Sequence, residues 1–234
     1  MQVDVLADPP AVARSAAQFI AAQATGAIVA RGRFNFAVSG GQTPWAMLRE
    51  LAKLDVDWTN VFLFQVDERV APPGDDSRNF THIRESLLDR VPSLPAVNVY
   101  PMPVERTELA AAAAQYAEAL ATAAGTPPVL DLVHLGLGPD GHTASLVPDD
   151  PVLQEDFADV GLTQPYQGHR RMTLTYPAIN RARCVLFVVT GPDKLSAMAA
   201  LRRGDRKIPA SGVTGERLVL MADAAAAGQA RYQR

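Results

Sequence analysis

The sequence predicts an α/β fold: one mostly parallel sheet with helices on both faces. Two observations carry this. Short β-rich runs alternate with helix-patterned stretches along nearly the whole length, the signature of repeated strand–helix–strand units. Several of the β-rich runs, such as residues 61–66 and 184–189, are almost continuously apolar, as expected of strands buried on both faces of a parallel sheet. Composition agrees with a globular chain, since 48% of the 234 residues are hydrophobic and 20% charged. With aromatics at only 6%, the core must be built mainly from Ala, Val and Leu.

The elements follow in order. Gln2–Leu6 reads as a first strand. Asp8 then offers a helix N-cap with Pro9 at the first helical position, and Val12, Ala16, Phe19 and Ile20 recur at helical spacing. Residues 33–38 form the next strand, stopping at Ser39-Gly40-Gly41. Thr43 is expected to cap a helix begun by Pro44, with Met47, Leu48, Leu51 and Leu54 on one face. After the strand at 61–66, a helix opened by Ser77 carries Ile83, Leu87, Leu88 and Val91. The clearest helix spans 105–124, Ala-rich with Leu109, Ala113, Tyr116 and Leu120 along one stripe. A strand at 129–135 leads into a Gly-rich loop, and a Pro- and Gly-punctuated connector fills 148–168. Strands at 171–175 and 184–189, a helix at 193–203 and a strand at 217–221 complete the pattern.

Neither a repeat nor a dividing linker is visible, so residues 1–234 are expected to form a single domain that buries roughly 70–75% of its unfolded surface. The formal charge of −3 argues against a broad nucleic-acid or anionic-membrane footprint, yet leaves room for a small phosphorylated ligand held by a few local cations. Cys184 stands alone within an apolar run and reads as a small buried hydrophobe. A single Cys forms no internal disulfide and no Cys-x-x-Cys pair, which fits a reducing compartment and no zinc. With no signal-peptide pattern at Met1-Gln2-Val3-Asp4 and no apolar run near ~20 residues, a cytoplasmic location is expected.

In an open parallel sheet, ligands bind beyond the carboxyl ends of the strands. Four segments there carry unusual residues. Ser39-Gly40-Gly41-Gln42-Thr43-Pro44 turns sharply into a helix whose free N–H groups favour an anion, although the same residues also serve shape alone. Asp67-Glu68-Arg69 follows a buried strand as a charged loop; neighbours there point in different directions, so Asp67 and Arg69 can enter a cleft while Glu68 faces elsewhere. Ser77-Arg78-Asn79 adds polar groups beyond it. The stretch from Gly136 to Leu146 contains Gly-x-Gly-x-x-Gly, but Pro148 comes too soon for the long helix a dinucleotide site requires. That loop instead holds Asp140 and His142 two residues apart, and a histidine is suited to general-base work near neutral pH. Arg171 and Lys194 sit at strand ends as candidate anion-binding cations, each equally readable as surface charge, whereas Arg202, Arg203, Arg206 and Lys207 read as a solvated face. No serine-hydrolase elbow, Walker loop or zinc motif occurs, and four scattered histidines make no metal site.

Taken in order, these loops resemble the 6-phosphogluconolactonase family over nearly the whole chain. The carrying segments are Ser39 to Pro44, Asp67-Glu68-Arg69, Ser77-Arg78-Asn79, Gly136 to Leu146 with Pro148, Arg171-Met172-Thr173-Leu174-Thr175 and Gly191-Pro192-Asp193-Lys194. The resemblance implies a single-domain, Rossmann-like sheet (NagB/RpiA-like) shared with glucosamine-6-phosphate deaminases. Those deaminases carry a glutamate five residues after the corresponding His, where this chain has Val147. Smaller departures are Val147 in place of a frequent Phe, and Arg78 before Asn79. The implied activity is hydrolysis of 6-phospho-D-glucono-1,5-lactone, with no cofactor or metal and the sugar-phosphate lactone as the only expected partner of a monomer. His142 would be the general base, with Asp67 or Asp140 orienting it or holding sugar hydroxyls. Arg171, Lys194 and the loop Ser39, Gly40, Gly41, Gln42, Thr43 would hold the phosphate. Arg69 and Asn79 would contact substrate or oxyanion. Rival readings are a deaminase or aldose–ketose isomerase, and a non-catalytic sugar-phosphate sensor, for which no partner module is apparent.

Overall fold

A computed structural model describes residues 1–229. The strands are β1 (Gln2–Leu6), β2 (Phe34–Val38), β3 (Val61–Gln65), β4 (Asp67–Arg69), β5 (Val99–Tyr100), β6 (Leu132–Leu135), β7 (Val160–Leu162), β8 (Arg171–Leu174), β9 (Val185–Val189) and β10 (Leu218–Asp223). The α-helices are α1 (Pro9–Arg31), α2 (Gln42–Leu51), α3 (Asn79–Ser86), α4 (Leu109–Ala124), α5 (Tyr176–Asn180) and α6 (Leu195–Arg203). Seven strands form a parallel sheet in the order β1-β10-β9-β6-β2-β3-β5.

Alternation along each strand divides the core in two. Phe34, Phe36, Leu63, Leu132, Leu186, Val188 and Val219 pack with Val12, Ile20, Met47, Leu48 and Ile83 from α1, α2 and α3 on one face. Ala37, Phe64, Val133, Leu135, Val185, Phe187 and Leu220 pack with Tyr116, Leu120, Ile179, Met198 and Leu201 from α4, α5 and α6 on the other. The period of two is what sends successive residues to opposite layers. Among the described residues, no helix is long and apolar enough to cross a membrane.

Local chemistry explains the boundaries. Asp8 caps α1 by accepting from the Ala11 N–H (2.8 Å), and Gly32 ends it with a left-handed φ of 74°. Thr43, expected as a cap, lies inside α2; Gly41 precedes that helix and supplies no side-chain cap. Ser77 does not open α3 either. The N–H groups of Asn79 and Phe80 donate to the buried Glu68 carboxylate at 2.7 and 2.8 Å, so a distant strand residue caps the helix. The clearest predicted helix begins four residues late, at Leu109.

One departure shapes the site. Asp67-Glu68-Arg69 is a strand and not a loop, and β8 belongs with it outside the main sheet. The order β4-β8-β7 makes a small antiparallel sheet with Asp67 opposite Thr173 and Arg69 opposite Arg171. Three adjacent charges carry no β pattern, so the strand comes from pairing with β8 and not from local propensity.

Candidate active site

The loops leaving the carboxyl ends of β2, β6 and β9 meet the small sheet around a cavity of about 630 Å³. Ser39, Gly40, Gly41, Gln42, Thr43, Asp67, Arg69, Asn79, His142, Arg171 and Lys194 all line it. Asp140 stands just behind, in contact with His142. The candidate residues come from segments far apart in sequence, and the parallel topology delivers them to one end of the sheet.

The β2–α2 turn forms one wall. Its Ser39 N–H donates to Nδ1 of the buried His134 at 3.4 Å, while burial holds the His134 imidazole down at a pKa of about 3 and so neutral. Thr43 Oγ1 meets Thr190 Oγ1 at 2.6 Å, tying this wall to the end of β9. Gly40 is required by close approach: a Cβ there would overlap the Asn79 amide.

The β6 loop presents His142. Its Nδ1 lies 2.6 Å from Asp140 Oδ1, and its backbone N–H donates to the same oxygen at 3.2 Å. Partial burial pushes the Asp140 carboxyl upward, but the His142 charge and hydrogen bonds from Tyr166 and His142 outweigh it and hold the group below the ordinary carboxylate range. An ionised carboxylate only accepts, so in the neutral form of the imidazole Nδ1 carries the proton and Nε2 keeps its lone pair. Gly138 makes room for this pair, because a Cβ at that position would overlap His142 Nδ1 and crowd Asp140 Oδ1.

Asp67 faces the cavity from β4 with little access to water. Ser145 Oγ donates to its Oδ2 at 2.6 Å, and Asn79 Nδ2 donates to its backbone carbonyl at 3.0 Å. Burial raises the Asp67 carboxyl, only partly offset by the Ser145 bond and by Arg171 and Arg69. Arg69 is fixed by donating to Ser77 O (2.8 Å) and Asn79 Oδ1 (3.0 Å). Glu68 turns away, bonding Gln65 Nε2 at 2.9 Å and lying 3.4 Å from Arg78 Nε. Arg78 is thus a buried structural cation.

The two expected phosphate cations differ. Arg171 is buried on β8, and desolvation lowers its pKa, countered by the nearby Asp67. Lys194 follows β9 and pairs with Asp193 Oδ2 at 2.9 Å. Sequence reasoning missed Ser145 and Tyr166. Ser145 lies in the loop after β6, and its Asp67 contact spans 78 positions, beyond the reach of any local pattern. Tyr166 lies in the connector of 148–168, where its aromatic ring between polar turn residues was the only available signal. Among the described residues, no three His, Cys, Asp or Glu side chains converge to hold a metal.

The model of the family of glucosamine-6-phosphate isomerases and 6-phosphogluconolactonases matches residues 7–221. This chain belongs to that family. A 6-phosphogluconolactonase of Nostoc sp. is 38% identical over 203 residues, covering 84% of this chain and 83% of the relative. A crystal structure of a 6-phosphogluconolactonase from Thermotoga maritima superposes with a TM-score of 0.85 at 26% identity, covering 95% of this chain and 98% of that one. A monomeric glucosamine-6-phosphate deaminase superposes with a TM-score of 0.86 at 16% identity, over 98% of this chain and 100% of that one. That likeness is one of fold alone, so architecture does not divide the family's activities and the site must. At position 147 the chain carries a buried valine.

Proposed function

We propose that the chain hydrolyses 6-phospho-D-glucono-1,5-lactone to 6-phospho-D-gluconate. The observation that carries this reading is an imidazole whose Nδ1 proton is committed to Asp140, lining one cavity with Arg171 and Lys194. The names of the relatives support it. A cyclic ester carbonyl is already electrophilic, so a base, an oxyanion donor and a grip on the far end of the ring suffice. Nε2 of His142 takes a proton from water as the oxygen attacks C1. Asp140 stabilises the imidazolium that forms, and that imidazolium returns the proton to the departing ring oxygen. Arg69, held by Asn79 and Ser77, is the donor we place at the oxyanion. Asp67, fixed by Ser145 and Asn79, accepts from sugar hydroxyls. Arg171, Lys194 and residues 39–43 bind the phosphate, so remote binding energy sets C1 over the base.

The test is loss of freshly prepared lactone in the presence of chelator, measured against buffer alone because the lactone also opens spontaneously. The protein is expected to exceed buffer, and His142→Ala to lose about 10²–10⁴-fold in kcat with the fold retained by circular dichroism. Equal rates for protein and buffer overturn the reading. Ammonia release from glucosamine 6-phosphate would favour the deaminase rival instead, which the valine at position 147 argues against.

A further inference from the structure

We infer that Tyr166 is a positioning residue with two separable duties, its hydroxyl fixing the Asp140–His142 pair and its ring seating Arg171. The inference rests on the function proposed above. Tyr166 Oη donates to Asp140 Oδ2 at 2.8 Å, the oxygen not engaged by His142. Its ring meets the His142 ring edge-to-face, with centroids 5.6 Å apart and planes at 69°. The Arg171 guanidinium lies 5.1 Å from the centre of the same ring. One side chain therefore touches the base, the group that orients the base and a phosphate-binding cation.

The backbone holds it there. Tyr166 and His169 exchange N–H···O bonds of 2.9 and 3.2 Å, closing a tight turn through Gln167 and Gly168 just before β8. Both central residues have left-handed φ, 48° and 82°, a geometry that costs Gln167 more than glycine. Gln167 Nε2 also donates back to Tyr166 Oη at 3.2 Å.

Each duty has a physical basis. The Asp140 side chain is partly exposed, and a carboxylate held at one oxygen swings about its last torsion; a second bond at Oδ2 fixes its plane and keeps Oδ1 on Nδ1. Burial and the neighbouring carboxylate both raise the Tyr166 phenol, so it stays a donor at neutral pH. Buried Arg171, meanwhile, has no ion pair within 4.0 Å among the described residues, and an aromatic face favours such a cation without neutralising the charge that phosphate needs.

Comparing Tyr166→Phe with Tyr166→Leu separates the two duties. Phe keeps the ring and loses the hydroxyl, so kcat is expected to fall about 10-fold with KM for the phosphorylated lactone within roughly 2-fold. Leu also loses the ring, so KM should rise a further ~3–10-fold. A wild-type kcat in Tyr166→Phe, or equal KM changes in both variants, overturns the inference. A second readout needs no turnover. In ¹⁵N-histidine spectra, the His142 signal (identified by its loss in His142→Ala) is expected to show the Nδ1–H tautomer in the wild type and a tautomer mixture in Tyr166→Phe. An unchanged spectrum overturns the positioning role. A wild type no faster than buffer overturns only the proposed substrate.

Discussion

At Asp67, ionisation is opposed chiefly by burial, and the Ser145 hydroxyl with Arg171 and Arg69 returns only part of what water would have given. A carboxyl whose folded pKa lies above its unfolded value binds its proton more tightly in the native state. Its ionisation therefore removes stability as pH rises from near 3.8 through the folded value, and the loss is complete above it. Asp67→Asn is neutral at every pH and keeps an acceptor for Ser145. We expect it to melt higher than the wild type at pH 7, the gap closing toward pH 4, while lactone turnover falls; a lower melting point at pH 7 would contradict the account. Such a residue trades stability for a charge in the cleft. Lys194 gives the contrasting case, since its side chain is partly exposed and paired only with its neighbour Asp193. Lys194→Ala is expected to raise KM for the phosphorylated lactone about 10–100-fold, the worth of a charge-assisted hydrogen bond. The unphosphorylated lactone should be nearly indifferent. Equal losses on both substrates would remove Lys194 from the phosphate site.

The elements differ in how far they can be read locally. β3 and β9 are legible because burial on both faces demands continuous apolar residues, and α1 because Asp8, Pro9 and Gly32 mark its ends. β4 is not legible, because Asp67, Glu68 and Arg69 become a strand only by pairing with β8. The start of α3 is hidden for a related reason: its cap is Glu68, eleven positions before Asn79. This carboxylate accepts from Arg69, Asn79 and Phe80 N–H groups and from Gln65, beside Arg78. Glu68→Gln leaves buried Arg78 with only the half-exposed Glu105 as an ionic partner, at 3.4 Å, and turns an NH₂ toward donors. A loss of about 3 kcal/mol in urea unfolding is expected, the scale for breaking a buried pair. A change below ~1 kcal/mol would mean that Glu68 does not hold α3 and β4 together.

For the molecule as a whole, alternating strands and helices announced the parallel sheet, and the Gly-rich and charged loops announced which end of it would hold the cleft. The sequence does not disclose which distant groups meet. Ser145 with Asp67, Thr43 with Thr190 and Tyr166 with Asp140 are hydrogen bonds between separate loops, set by strand order and not by any local pattern. Strand order has one more effect. β1 lies against β10, in register from Gln2 beside Val219 to Leu6 beside Asp223, and the Asp223 carboxylate accepts from the Gly191 N–H at the turn leading to Lys194. β1 precedes β10 by nearly all the other elements, so a ribosome releases β1 well before β10. Until β10 emerges, β1 waits without its neighbour, and the lysine turn acquires its anchor only when β10 slides between β1 and β9.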